Sequence, residues 1–344
     1  MMNTTAIEMI MTGRRKRRRQ YLLVTSTLAI IAAVLCGLML YFGNTLYSLD
    51  VIIRVLSGEK VKGATFAIET IRLPRMLAGL FAGFAFGLAG SVFQTMLRNP
   101  LANPNVLGIT TGSSVAAVFC IVILHTSEAV IFIASVIAGL ATVLVLYVLS
   151  IRKSFSLGRL ILVGIGLDAM LGAAVSYLLL KSSEHDIGAA YRWLSGSLNG
   201  AQMDELSPLI TTVLLCTPIV MLLGKPLGLL ELGEQAATSL GIHPNRTRIV
   251  LIIVTVLMIA VACATTGPIA FVAFLAGPIA KRLVGIGYSS VIPAGLVGVI
   301  LVLGSDLIGQ FAFETRFPVG VITGILGAPY LIYLLIRMNR KGDF

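Results

Sequence analysis

Residues 224–248 read GKPLGLLELGEQAATSLGIHPNRTR, a polar run set between two long apolar stretches. A polar segment of 25 residues cannot lie in hydrocarbon, where backbone groups find no water to bond. It must sit on one membrane surface, between a helix that arrives and one that leaves. Leu229, Leu230, Leu232, Ala236, Ala237 and Leu240 offer an apolar side, while Glu231, Glu234 and Gln235 offer a polar one, as in a short amphipathic helix. Gly241 suits the left-handed residue that ends such a helix. Pro244 suits the first turn of a second short helix, where its missing N–H has no partner to lose. The expectation is a compact helix–turn–helix knob on the surface, with an ordinary interhelical loop as the plainer alternative.

The flanking sequence makes that surface a membrane surface. With 344 residues, 57% of them hydrophobic and 12% charged, and a mean hydropathy of +0.97, the chain is an all-α polytopic membrane protein rather than a water-soluble domain. Its 35 glycines fit close helix packing in lipid, where small residues let backbones approach. Cys36, Cys120, Cys216 and Cys263 lie within or at the edge of apolar stretches with no CxxC spacing, and His125, His185 and His243 are far apart in sequence. Neither a disulfide framework, a metal site nor a cofactor site is expected.

The polar first 20 residues hold Arg14, Arg15, Lys16, Arg17, Arg18 and Arg19 and precede an apolar run from Tyr21 to Phe42. That run is longer than a signal-peptide core and lacks a clear small-residue cleavage site, so it reads as a first span with a cytoplasmic N-terminus. Further spans are expected at 76–97, 106–125, 129–150, 158–180, 204–223, 248–265, 268–284, 291–309 and 319–337, about ten in all with both termini cytoplasmic. The chain then divides into a basic tail (1–20), one transmembrane domain (21–337) that includes the cytosolic segment 224–248, and a short tail (338–344).

This layout puts eighteen lysines and arginines inside and eight outside, which accounts for all 26. Ten acids lie outside, four inside, and Asp168 within a span. The net charge of +11 is therefore a topology signal, not a nucleic-acid signal. Several spans read as broken: Gly267-Pro268 and Gly277-Pro278 bracket a short stretch, as do Pro318 and Pro329. Such breaks hint at a pathway, or are plain bundle kinks.

Four stretches bear on chemistry. Arg72-Leu73-Pro74-Arg75 opens the second span on the outer side, with two guanidiniums expected on similar sides. They suit the carboxylates of an external partner or the phosphates of membrane lipid. Within that span Gly79, Gly83 and Gly87 form a stripe for close helix approach. At its inner end, Arg98-Asn99-Pro100-Leu101-Ala102-Asn103-Pro104-Asn105 forces an irregular turn. Asp168 is the one acid at hydrocarbon depth, expected to stay protonated or to find a donor; a proton- or ion-coupled secondary transporter working through it is the alternative function. Asp306 and Glu314 are expected near the outer end of the span at 291–309, within reach of water. The chain lacks GxxxxGK[ST], HExxH and GxSxG motifs, so it is not expected to be an enzyme, and any ATP hydrolysis belongs to another polypeptide.

RLPR (72–75), RNPLANPNVLG (98–108), GEQAATSLGI (233–242), GPIAFVAFLAGPIAKRLVG (267–285) and FPVGVITGILGAPYLIYLL (317–335), in this order, resemble the FecCD family. Its members are permease subunits of bacterial iron-siderophore and vitamin B12 ABC importers. The resemblance implies a ten-helix permease of the cytoplasmic membrane that pairs with a second copy or a sister permease. It also implies separate ATPase subunits inside and a substrate-binding protein outside. It makes Glu234, Ala237, Leu240 and Gly241 the ATPase contact and turn residues, and Arg72 and Arg75 the docking residues for the binding protein. The place matching a third family arginine holds Gln310, with Arg316 six residues on as the substitute candidate.

Overall fold

The computed structural model describes residues 2–103, 108–150, 157–285 and 287–341, and among these all regular structure is helical. Pro104, Asn105 and Leu107 of the inner turn, Arg152 and Lys153 of an inner loop, and residues 342–344 lie outside the described residues. In chain order the helices are α1 (Met2–Tyr41), α2 (Leu49–Leu56), α3 (Leu73–Leu97), α4 (Ile109–Phe119), α5 (Glu128–Ser150), α6 (Leu157–Lys181) and α7 (Glu184–Leu194). They continue as α8 (Met203–Leu222), α9 (Gly224–Leu230), α10 (Glu234–Ser239), α11 (Pro244–Thr266), α12 (Val272–Val284), α13 (Val291–Phe311) and α14 (Val319–Lys341).

Eight of these are long and apolar enough to cross a membrane, namely α1, α3, α5, α6, α8, α11, α13 and α14. Of the other two segments expected to cross, α4, prolonged by a wider π turn through Leu124, is a shorter apolar helix, and α12 is a 13-residue helix with Lys281 and Arg282 in its last turn. An even number of crossings returns the chain to its starting side, so both termini share the cytoplasmic face that the charge distribution selects. The outer segment after α1 folds back onto the bundle. Ile52 and Val55 of α2 and Ile68 of a π turn at Phe66–Arg72 are buried against Met39, Leu40, Val299 and Leu303.

α3 lies at the centre, packed on α13, α12 and α11, while α1, α5, α6, α8 and α14 turn most of their surface outward. The glycine stripe explains how α3 approaches so closely. A side chain at Gly83 would lie 2.8 Å from the Gly298 carbonyl oxygen, and one at Gly87 would strike the Ala294 carbonyl, both on α13. Gly90 faces α12 in the same way, against the Ala273 carbonyl. Gly90→Ala is therefore expected to lower the thermal unfolding midpoint of the purified protein, by an overpacking cost of about 1–3 kcal/mol. Gly172→Ala, inside α6 with open space around it, should leave the midpoint unlowered or slightly raised, since alanine favours the helix over glycine.

The proline breaks come out differently from the expectation. Gly267, at φ +71°, does end α11, and a short connection with Phe271 at φ +62° leads to α12, so the span expected from residue 268 starts at Val272. Pro278, however, lies inside a continuous α12, and Pro329 inside a continuous α14. The reason at Pro278 is local. Its missing N–H would have bonded the Phe274 carbonyl four residues back, and Gln94 Nε2 of α3 donates to that carbonyl instead at 2.9 Å. Gly277 leaves the room: a side chain there would meet the Gln94 amide. A neighbouring helix thus supplies the bond that proline removes.

Candidate functional site

The polar run folds as the knob its composition suggested, with two adjustments. The amphipathic stretch is split into α9 and α10, because Gly233 at φ +118° turns the chain between them. Pro244 does not start a second short helix; it is the first residue of the full span α11. The end of α10 is a Schellman turn: Ile242 N donates to the Ala237 carbonyl at 3.0 Å and Gly241 N to the Thr238 carbonyl at 2.9 Å, with Gly241 at φ +81°.

Leu227, Leu230 and Ala237 are buried and seat the knob on the bundle. Leu232 and Leu240 do the opposite, 65% and 58% exposed on its solvent side. Three polar links then tie the knob to three different spans. Arg98, in a left-handed conformation at the end of α3, donates from Nε to the Leu230 carbonyl at 2.9 Å. Lys281 of α12 pairs with Glu231 at 2.7 Å. Arg248 of α11, only 1% exposed, bonds through Nη1 to Glu234, the first residue of α10. A cleft of about 480 Å³ opens beside these links, lined by Ser91, Gln94, Arg98, Glu231, Lys281 and Ser290.

The four residues of the expected coupling set therefore occupy distinct positions. Leu240 points outward, Gly241 makes the turn, Ala237 packs inward and Glu234 is held by Arg248. Arg98, Lys281, Glu231 and Arg248 had not been singled out as a clamp. Arg248 stands fourteen residues from its partner, a spacing that signals nothing until the chain doubles back.

At the outer face Arg72 and Arg75 do not share a side. Arg72 is buried, with Nη1 donating to the Leu40 and Tyr41 carbonyls at 2.7 and 3.1 Å and Nη2 to the Thr45 carbonyl at 2.6 Å. It satisfies the last carbonyls of α1, which have no partner within their own helix, and its guanidinium lies 5.1 Å over the Tyr47 ring. Arg75 forms a bidentate pair with Asp306 of α13, Nε to Oδ2 at 2.8 Å and Nη2 to Oδ1 at 2.7 Å, and its Nη1 donates to Asn199. Gln310 adds a bond to the same carboxylate at 2.6 Å. Asp306 is thus 0% exposed, contrary to the expectation that water reaches it. Arg316 is exposed and donates to Asn44 Oδ1 at 2.5 Å. Within the bundle, Asp168 has found a donor in the Thr111 hydroxyl of α4.

Eight helices long and apolar enough to cross a membrane, with a clamped, partly apolar knob between α8 and α11, define an integral membrane protein. Comparison with known proteins agrees: the model of the FecCD transport family matches residues 28–337, and the chain belongs to that family. The ferric enterobactin transport system permease protein FepG of Escherichia coli (strain K12) is 36% identical over 322 residues, covering 93% of this chain and 98% of the relative. The Fe(3+)-citrate import system permease protein YfmE of Bacillus subtilis (strain 168) is 36% identical over 330 residues, covering 95% and 98%. A solved metal-chelate type ABC transporter in an inward-facing conformation matches with a TM-score of 0.82 and 26% identity, over 92% of this chain and 100% of that one.

Proposed function

We propose that this chain is the permease subunit of a binding-protein-dependent ABC importer that carries a ferric siderophore across the cytoplasmic membrane. ATP is hydrolysed by separate subunits beneath it, and a second copy or a sister permease completes the path. The observation that carries this reading is the knob: an apolar side chain, Leu240, is held exposed at the end of α10, while the knob as a whole, α9 and α10 together, is tied to α3, α11 and α12. An exposed leucine on a rigidly held helix suits insertion into a partner's groove. Links to three spans let a displacement of the knob move the bundle centre as packed bodies rather than be absorbed by a loop. The relatives' names support the cargo class, since both FepG and YfmE are described as permeases of ferric-chelate systems. The chelate travels as cargo and needs no resident metal site.

The proton-coupled alternative rests on Asp168 alone, and its carboxylate is engaged by Thr111. The two readings separate experimentally. In native membranes the chain should co-purify with an ATPase and a second permease, and uptake should stop when the ATPase is deleted. Uptake that persists without any ATPase and collapses with an uncoupler would refute the importer reading.

For the binding protein, Arg316, exposed with one bond to Asn44, is the one of the three expected arginines placed to meet an acidic partner, whereas Arg72 and Arg75 support docking by holding the outer surface in shape. Arg316→Glu is expected to weaken binding-protein affinity several-fold at low ionic strength and by less at high salt, mainly through the association rate, as rim charges do. Surface plasmon resonance against the reconstituted permease measures this, and an unchanged affinity at low salt removes Arg316 from the interface.

A further inference from the structure

We infer that the basic extension of α1 carries a binding site for an anionic phospholipid of the cytoplasmic leaflet, on one defined face of the helix. α1 runs unbroken for 40 residues, so the apolar span beginning at Tyr21 continues straight into the segment Arg14–Arg19. That segment carries positive charge all round, yet the helix is not free to rotate. Gln20 Nε2 donates to the Leu283 carbonyl at 3.3 Å, Tyr21 stacks on Tyr288 with ring centroids 5.2 Å apart, and Arg17 lies against Gly287. Val24 and Leu28, further along the same face, pack on Ala276 and Ala280 of α12 and Ala294 and Val297 of α13. Positions 17, 20, 21, 24 and 28 recur at helical spacing and form one inward face.

The opposite face is fixed by the same contacts. There Arg15, Arg18, Arg19, Leu22, Leu23 and Ser26 line one shallow groove, and Leu22 and Leu23 are 51% and 57% exposed. Among the described residues no carboxylate pairs with any of these three arginines. At about 1.5 Å of rise per residue, Arg19 lies about 3 Å and Arg15 about 9 Å beyond Tyr21 along the axis. The headgroup layer is about 5–7 Å deep on each side of the hydrocarbon, so Arg18 and Arg19 reach the phosphates and Arg15 reaches their outer edge. Three guanidiniums stacked above two exposed leucines match a ligand with a phosphate head and acyl tails, in both charge and polarity. A soluble anion would satisfy the arginines but leave the leucines unused. A nucleic acid would have no use for a groove that descends into the hydrocarbon.

The test is native mass spectrometry of the full-length protein after equilibration with phosphatidylglycerol or with phosphatidylcholine. Two variants that each remove two positive charges are compared, R15Q/R19Q in the groove and R14Q/K16Q beside it. Both keep four of the six basic residues of Arg14–Arg19, so the topology signal stays positive-inside. Wild type should retain phosphatidylglycerol in preference to phosphatidylcholine. R15Q/R19Q should lose at least about ten-fold in phosphatidylglycerol affinity, because it removes two guanidiniums that bond the phosphate directly, while R14Q/K16Q, which removes the same charge off the groove, should lose no more than a few-fold. Equal losses in the two variants, or equal retention of the two lipids by wild type, would overturn the site and leave only a diffuse positive charge.

Discussion

Leu240→Asp is expected to abolish uptake while the chain remains folded and inserted. Leu240 is well exposed on the knob and makes no core contact, so as a surface change it should alter stability by no more than about 0.5 kcal/mol. In an apolar partner groove the same carboxylate loses its hydration with no opposite charge supplied, a penalty of several kcal/mol. A loss of only about 3 kcal/mol already weakens ATPase association more than a hundred-fold. Co-purification of the ATPase and transport in proteoliposomes are the measurements. An ATPase that stays bound, with uptake intact, would mean that Leu240 is not at the contact. Ala237→Asp is the informative comparison, because Ala237 is fully buried and its replacement should prevent folding instead.

Arg75→Met should be the most damaging single change at the outer face. It leaves the Asp306 carboxylate buried with only the Gln310 amide as a donor, and removing one partner of a buried ion pair costs about 3–5 kcal/mol. Replacing both charges, as in Arg75→Met with Asp306→Leu, should recover most of that loss, because two apolar groups of similar volume leave no orphaned charge. Thermal unfolding in detergent reads both variants. The double variant also separates two roles for Arg75. If Arg75 only braces α3 against α13, the double variant regains binding-protein docking along with stability. If it also meets the binding protein directly, stability returns and docking does not.

Much of this molecule was legible in its residues because membranes impose strict rules. Hydropathy located eight helices long and apolar enough to cross, and the lysine and arginine distribution selected the orientation, since each crossing must bury about 20 apolar residues and positive loops stay inside. Gly241 was legible as a turn because a left-handed helix end favours glycine. The stripe Gly79, Gly83 and Gly87 was legible as a close approach, although the helix approached could not be named from the spacing.

Contacts across long sequence distances were not legible. Arg75 and Asp306 lie 231 positions apart, and both looked exposed because each stands at the outer end of a span. Only the packing of α3 on α13 makes them a buried pair. Pro278 looked like a helix break because proline removes a donor, and only Gln94, arriving on α3, shows that the bond was replaced. Periodicity and composition marked which segments are apolar enough to cross a membrane and where the polar knob interrupts them, since these depend on each segment's own transfer between water and lipid. The tertiary structure alone decided which charges stay exposed and which brace the bundle, because a charge's role is set by the groups brought beside it when distant helices pack.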